Sequence, residues 1–251
     1  MDELTFNGFV IGWLSVAVVT FIALFFVTAP YGRHARKGWG PMVPARLGWI
    51  FMEVLSPALV ATLFVFGKNQ GTVAIVFLVM WEVHYIQRTF VFPFLMRGKG
   101  APMPLAIVVF SMMFNAVNAG VNGGWLFHMA PEYSVEWLTD PRFIVGAALF
   151  VTGFAINLHS DHILRNLRKP GETGYKIPHG GMYRFVSCPN YMGESIEWIG
   201  WAIATWSLAG LSFAVWTLAN LAPRAFSNHR WYKEQFPDYP TKRKALIPFI
   251  L

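Results

Sequence analysis

Six long apolar blocks follow one another through the chain and leave little sequence between them. A bilayer-spanning helix needs about 20 mostly apolar residues. Residues 9–27, 49–66, 73–95, 105–126 and 143–164 each read as one such span. The last block, 191–222, is too long for one span of ordinary tilt, and Ser207-Leu208-Ala209-Gly210 offers a turn that divides it in two. The expected fold is therefore an all-α integral membrane protein, a single domain over 1–251 with seven transmembrane helices. The first span is led by Asp2 and Glu3 rather than by basic residues, and its apolar run exceeds the roughly 7–15 residues of a signal peptide core. It reads as a retained anchor.

Composition supports this class. Apolar residues make up 55% of the chain and charged residues 13%, against about 25% charged in a soluble domain. Hydrophobicity this high excludes intrinsic disorder. Cys188 is the only cysteine, which excludes a disulfide scaffold. The net charge of +7 does not indicate a nucleic-acid partner, because the chain is too apolar to stay in water.

The cations report topology instead. Seventeen of the 20 Lys and Arg fall in four segments, at 33–46, 97–99, 165–184 and 224–244. With seven spans these segments share one side, and the other side holds only Lys68 and Arg142. By the positive-inside rule the N-terminus is outside and the C-terminus cytoplasmic.

Charge near the bilayer centre costs about 2.5–3.5 kcal/mol on insertion scales, so such residues need a partner or a function. Glu53, Glu82, Arg88, Glu194 and Glu197 lie in or near spans, and Asp161 sits near the end of span five. His84, Tyr85 and Arg88 share one helical face. Asn157, Asp161 and Arg168 follow at +4 and +7, and Asn190, Glu194 and Glu197 repeat that pattern. Two faces rich in amide and carboxylate, both opening to the basic side, suit one polar cavity. They suit interhelical contacts that hold a bundle together as well.

Glu53 stands among Met52, Val54 and Leu55. A carboxyl that keeps its proton in such surroundings can donate a hydrogen bond to a substrate oxygen, and so can Tyr85. Two donors aimed at one carbonyl make an oxyanion site. A Glu53–Arg88 pair is the alternative, and spacing leaves both open. Dinucleotide and P-loop glycine motifs are absent from the sequence. His159 and His162 have a metal-compatible spacing, but the other histidines are scattered, so no metal is expected. Cys188 lacks a base nearby in sequence.

The stretch His84-Tyr85-Ile86-Gln87-Arg88-Thr89-Phe90-Val91 resembles the third-span motif of the steroid 5α-reductases. Asn157-Leu158-His159-Ser160-Asp161 and Leu164-Arg165-Asn166-Leu167-Arg168-Lys169-Pro170-Gly171-Glu172 resemble the same family. So do Glu194-Ser195-Ile196-Glu197-Trp198-Ile199-Gly200, Asp238-Tyr239-Pro240 and Arg243-Lys244-Ala245-Leu246-Ile247-Pro248-Phe249-Ile250. The resemblance covers nearly the whole chain, is closest to the type 2 branch, and suggests a bacterial homologue. It implies a seven-helix membrane fold and reduction of the C4–C5 double bond of 3-oxo-Δ4-steroids with NADPH. By resemblance, Glu53 and Tyr85 are the catalytic pair that contacts the steroid 3-oxo group. Asn157, Asp161, Arg168, Tyr175, Asn190, Glu194, Arg224 and Tyr232 match cofactor-contacting positions, as do Arg88 and Lys99, where lysine stands for the family's arginine. Phe114, Trp198 and Phe213 match positions lining the steroid pocket.

Some residues depart from the family pattern. Asn228 replaces a histidine that touches the cofactor, Phe92 replaces a tyrosine, and Asn220 replaces an aromatic residue expected near the steroid. Glu82 has no counterpart. The expected partners are an apolar enone entering from lipid and the membrane lipids themselves, with the chain as a monomer in a bacterial inner membrane, or in the endoplasmic reticulum of a eukaryote. The rival readings are a methyltransferase of the isoprenylcysteine type, using S-adenosylmethionine, and a non-catalytic sterol-binding protein.

Overall fold

The computed structural model describes residues 2–34, 36, 38–96, 102–169, 172 and 174–251. Helix α1 spans Glu3–Phe26, α2 Ala45–Val65 and α3 Thr72–Ile86. A π-helical turn, Gln87–Val91, carries α3 into the short α4, Phe92–Leu95. Helix α5, Leu105–Gly124, ends in a second π-helical turn, Trp125–Met129. Helices α6, Pro141–Asn166, α7, Pro189–Thr205, and α8, Leu208–Gln235, complete the order. A two-residue strand β1, Met42–Val43, pairs antiparallel with β2, Met103–Pro104.

Five helical stretches among the described residues are long and apolar enough to cross a membrane: Glu3–Phe26, Ala45–Val65, Thr72–Leu95, Leu105–Met129 and Pro141–Asn166. Ile11, Val18, Val19 and Ile22 of α1 are exposed. Apolar side chains turned outward along a helix this length call for lipid as solvent. The chain is an all-α, multi-pass membrane protein.

Local chemistry sets the helix ends more sharply than the apolar runs do. Helix α1 begins six residues before the expected span, because Asp2 Oδ1 accepts from the Thr5 amide at 2.8 Å and caps it. Pro44 leads into α2 and Pro189 opens α7, positions that suit proline because an N-terminal amide would be unpaired anyway. The division expected at 207–210 falls at Trp206, whose φ of 43° breaks the helix. Ser207 Oγ then accepts from the Gly210 amide at 3.0 Å and caps α8. Helix α8 does not stop with the apolar block at 222. It runs through Pro223 and on to Gln235.

The chain divides into two compact units, one of Met1–Val10 and Ala29–Phe143, the other of Ile11–Thr28 and Ile144–Leu251. In the first unit, α2 and α5 run side by side in the same direction. Gly48 meets Val108 near their start, Met52 meets Asn115 further along, and Leu63 meets Gly123 near their end. Ala45, Met52, Met103 and Val108 form a buried cluster at the first of these levels.

In the second unit, α6 and α7 pack backbone against backbone. A Cβ on Gly200 would come within 2.6 Å of the Gly146 carbonyl, and one on Gly193 within 2.6 Å of the Gly153 carbonyl. The C-terminal tail returns to this unit. Val186 bridges Lys244, Ser187 donates to the Lys244 carbonyl at 2.8 Å, and Cys188 to that of Ala245 at 3.2 Å. Val186, Cys188, Met192, Ala222, Ala225 and Leu246 are buried together beneath the junction.

Candidate functional site

Each unit gathers one cluster of polar side chains within apolar surroundings. In the first unit the cluster joins α2, α3 and α5. Tyr85, 3% exposed, donates its hydroxyl to Asn115 Oδ1 at 3.3 Å. Asn115 Nδ2 donates to the Met52 carbonyl at 2.7 Å and reaches Glu53 Oε2 at 3.4 Å. The backbone is unusual on both sides of this contact. Pro57 sits inside α2 four residues after Glu53 and has no N–H to offer the Glu53 backbone carbonyl. Tyr85 stands two residues before the π-helical turn, a feature that recurs at functional sites.

Asn115 was not among the residues singled out from sequence. The signal was present: Asn115, Asn118 and Asn122 are all buried on α5 at spacings of three and four. That spacing draws an amide stripe along one face of an apolar span.

Arg88 lies in the π-helical turn, which breaks the spacing used to place it beside Tyr85. Its guanidinium stands 4.8 Å from the Trp49 ring and 4.8 Å from the Phe92 ring. Phe92 therefore supplies an aromatic face for a cation. Phe114 precedes Asn115 and is half-buried. Lys99 lies outside the described residues.

In the second unit the cluster joins α6, α7 and α8. Asn157 Nδ2 donates to the Asn190 carbonyl at 3.1 Å and to Glu194 Oε2 at 3.3 Å. Asn190 Nδ2 in turn donates to Asp161 Oδ1 at 3.3 Å. Arg224 Nε donates to the Tyr191 hydroxyl at 2.9 Å. Asn228 reaches Cys188 Sγ at 3.6 Å. The glycine contacts let α6 and α7 approach closely enough for these short side chains to meet.

Tyr232 stacks on Tyr239 with 5.2 Å between ring centroids, and Trp231 meets both Tyr232 and Tyr175 edge-on. Arg168 donates to the Gly174 carbonyl at 3.3 Å and, like Tyr175, is exposed. Trp198 and Phe213 lie 3.9 Å apart, both buried. Asn220 is exposed, and Glu197 is fully buried.

Sequence reading missed the tail network. Ser187 Oγ is 2.6 Å from His229 Nδ1 and 2.6 Å from the Tyr239 hydroxyl. Arg243, buried, donates to that hydroxyl at 3.3 Å and to the Pro178 carbonyl at 3.2 Å. Burial lowers the pKa of His229, helped by the charges of Lys233, Arg243 and Lys244. Burial, with the Asp161 charge second, raises that of Tyr183. Among the described residues no three His, Cys, Asp or Glu side chains gather in the manner of a metal site. His162 pairs instead with Asn166 at 3.0 Å.

The second cluster suits a dinucleotide. Its amides and carboxylates offer both donors and acceptors for a carboxamide and ribose hydroxyls, and Arg224 and Arg168 carry charge that a phosphate requires. The first cluster holds a buried hydroxyl beside a half-buried carboxyl, which suits a ketone oxygen.

Residues 101–251 match the family model described as 3-oxo-5-alpha-steroid 4-dehydrogenase. The chain belongs to this family. The steroid dehydrogenase resemblance extends beyond the matched region. A 3-oxo-5-alpha-steroid 4-dehydrogenase 1 of Bos taurus is 45% identical, over 94% of this chain and 93% of the relative. The protein of the same name in Rattus norvegicus is 46% identical over 94% and 92%. A steroid 5-alpha-reductase DET2 of Gossypium hirsutum is 40% identical over 99% and 98%.

Proposed function

We propose that this protein reduces the C4–C5 double bond of 3-oxo-Δ4-steroids to 5α-dihydrosteroids with NADPH. The observation that carries the reading is the meeting of buried Tyr85 and Asn115 with half-buried Glu53 in a chain belonging to the steroid dehydrogenase family. The relatives are named for 3-oxo-5-alpha-steroid 4-dehydrogenation and for steroid 5-alpha-reduction.

Held by the second cluster, a reduced nicotinamide would supply the hydride for C5. With hydride at C5, the C4–C5 π pair forms the C3–C4 double bond of an enolate and the carbonyl π pair moves onto the 3-oxo oxygen. Tyr85, with Glu53 in its protonated form, donates hydrogen bonds to that oxygen and stabilises the enolate. C4 takes a proton from solvent. Asn157, Asp161, Asn190 and Glu194 bind the polar end of the cofactor, and Arg224, Arg168, Asn228, Tyr232 and Tyr175 hold the rest; Arg88 and Lys99 are cofactor-binding positions by the family resemblance. Phe114, Trp198 and Phe213 contact the apolar steroid body.

The reading includes seven membrane spans, with α7 and the first part of α8 as the sixth and seventh. The N-terminus is outside and the C-terminus cytoplasmic, so the basic segments face the compartment that holds NADPH. The steroid enters from lipid.

The test uses the full chain in detergent with NADPH and testosterone or progesterone. Loss of nicotinamide absorbance matched by 5α-dihydro product is expected. NADPH binding without turnover on either steroid would remove the steroid assignment and direct the search to other enones.

A further inference from the structure

Asn115 has no assigned role, yet its one amide group meets both residues given the ketone. Which end of the amide faces which neighbour is fixed by chemistry. A backbone carbonyl can only accept, so the atom 2.7 Å from the Met52 carbonyl is nitrogen. The other end is therefore oxygen, which can only accept. The Tyr85 hydroxyl, 3.3 Å away, must direct its single hydrogen there.

The second hydrogen on Nδ2 is directed at Glu53 Oε2. In a neutral carboxyl the carbonyl oxygen is the stronger acceptor, so this hydrogen favours Oε2 as the carbonyl oxygen. The proton of neutral Glu53 consequently belongs on Oε1. One amide thus orients both donors.

We propose that Asn115 is a positioning residue for the reduction. It places the acid proton of Glu53 on Oε1 and holds the Tyr85 hydroxyl until a substrate ketone takes its hydrogen. The 3.3 Å bond lies at the long end of hydrogen-bond geometry, so the tyrosine releases it readily. This rests on the reading of Glu53 and Tyr85 as the ketone-binding pair.

The test compares the wild-type chain with Asn115→Leu, Asn115→Asp and Tyr85→Phe, each purified in detergent and assayed with NADPH and testosterone. Asn115→Leu is expected to lower kcat about tenfold to a hundredfold, at or below the low end of the roughly hundredfold to ten-thousandfold of a proton-transferring group itself, with KM changed less than about threefold. The infrared carbonyl band of testosterone labelled with carbon-13 at C3 should move toward its unpolarised position when bound to this variant. A purely structural loss would not move that band in the folded fraction. Asn115→Asp keeps the acceptor for Tyr85 and loses the N–H groups toward Glu53 and the Met52 carbonyl, so a smaller loss is expected. It also carries the test if Asn115→Leu does not fold.

The Tyr85→Phe, Asn115→Leu double variant should lose less than the product of the two single losses, because the part of Asn115 that acts through Tyr85 is already gone. Wild-type kcat and carbonyl band in Asn115→Leu, or losses that simply multiply in the double variant, would overturn the role of Asn115 while Tyr85→Phe remained impaired. Full turnover in Tyr85→Phe would sink the ketone-site reading and this inference together.

Discussion

Gly153 of α6 and Gly193 of α7 touch through their backbones: a Cβ built on Gly193 would stand 2.6 Å from the Gly153 carbonyl and 2.6 Å from the Asn157 amide nitrogen. Gly146 and Gly200 repeat the contact seven residues away along each helix. Small residues at such crossings let membrane helices approach without side chains between them. The crossing sets the distance over which Asn157 reaches Asn190 and Glu194.

Gly193→Ala is therefore expected to force α6 and α7 apart and destabilise the protein by about 1–3 kcal/mol, the range for overpacked interiors. NADPH affinity should fall with it, because the separated helices no longer bring Asn157 to Glu194. Thermal unfolding in detergent, with and without NADPH, measures both effects. An unchanged midpoint would show that the backbone contact is not tight.

Tyr85→Phe removes one of the two donors aimed at the ketone while keeping the buried ring, which stacks 5.1 Å from Trp81. The expected loss in kcat is about a hundredfold to a thousandfold, as for removal of one oxyanion donor. KM should change little. Steady-state kinetics with testosterone give the answer, and a kcat within a factor of two of wild type would rule out the hydrogen bond.

Arg224→Lys keeps the charge and loses the Nε bond to the Tyr191 hydroxyl. The lysine is a compact point charge without the planar fork of arginine. NADPH affinity should fall roughly tenfold, the effect of about 1.4 kcal/mol in a charge-assisted hydrogen bond. Titration calorimetry at two salt concentrations measures it. Equal affinity for the two proteins would place the phosphate elsewhere.

His229 makes the tail sensitive to acid. Its pKa in the folded chain lies below the ordinary value of 6.5, so the unfolded chain binds the proton more tightly. Stability from this group is fully present above pH 6.5 and is lost as pH falls below that value toward the folded pKa. The melting temperature should decline over this window in the wild-type chain and decline less in His229→Gln. Parallel curves for the two proteins would exclude His229 as the titrating group.

Ser56 is fully buried on α2, and its hydroxyl has no hydrogen-bond partner among the described residues. A buried hydroxyl without a partner costs stability, so replacing it with a methyl group should be neutral or favourable. Ser56→Ala is expected to match or exceed the wild-type melting temperature. A marked drop would reveal a water or ligand held by that hydroxyl.

Much of the fold was legible in the sequence because a bilayer imposes a length and a polarity on each helix. The apolar runs located the five long helices and the division after α7, and the motif resemblance carried the family. Terminal capping chemistry was harder to read: Asp2 moved one boundary, and α8 continued past its apolar part. The individual residues of the second cluster were visible as repeated amide and carboxylate spacings along α6 and α7.

What sequence alone determined was the solvent this chain requires, the helices that solvent permits, and the family to which it belongs. Tertiary structure decided which polar groups meet. Asn115 gained its place from the side-by-side register of α2 and α5, and Ser187, His229, Tyr239 and Arg243 from the return of the tail. Hydropathy is a property of neighbouring residues in one helix, whereas a hydrogen bond between helices depends on register and approach. Those are set by glycine contacts, prolines and π-helical turns that no apolar run encodes.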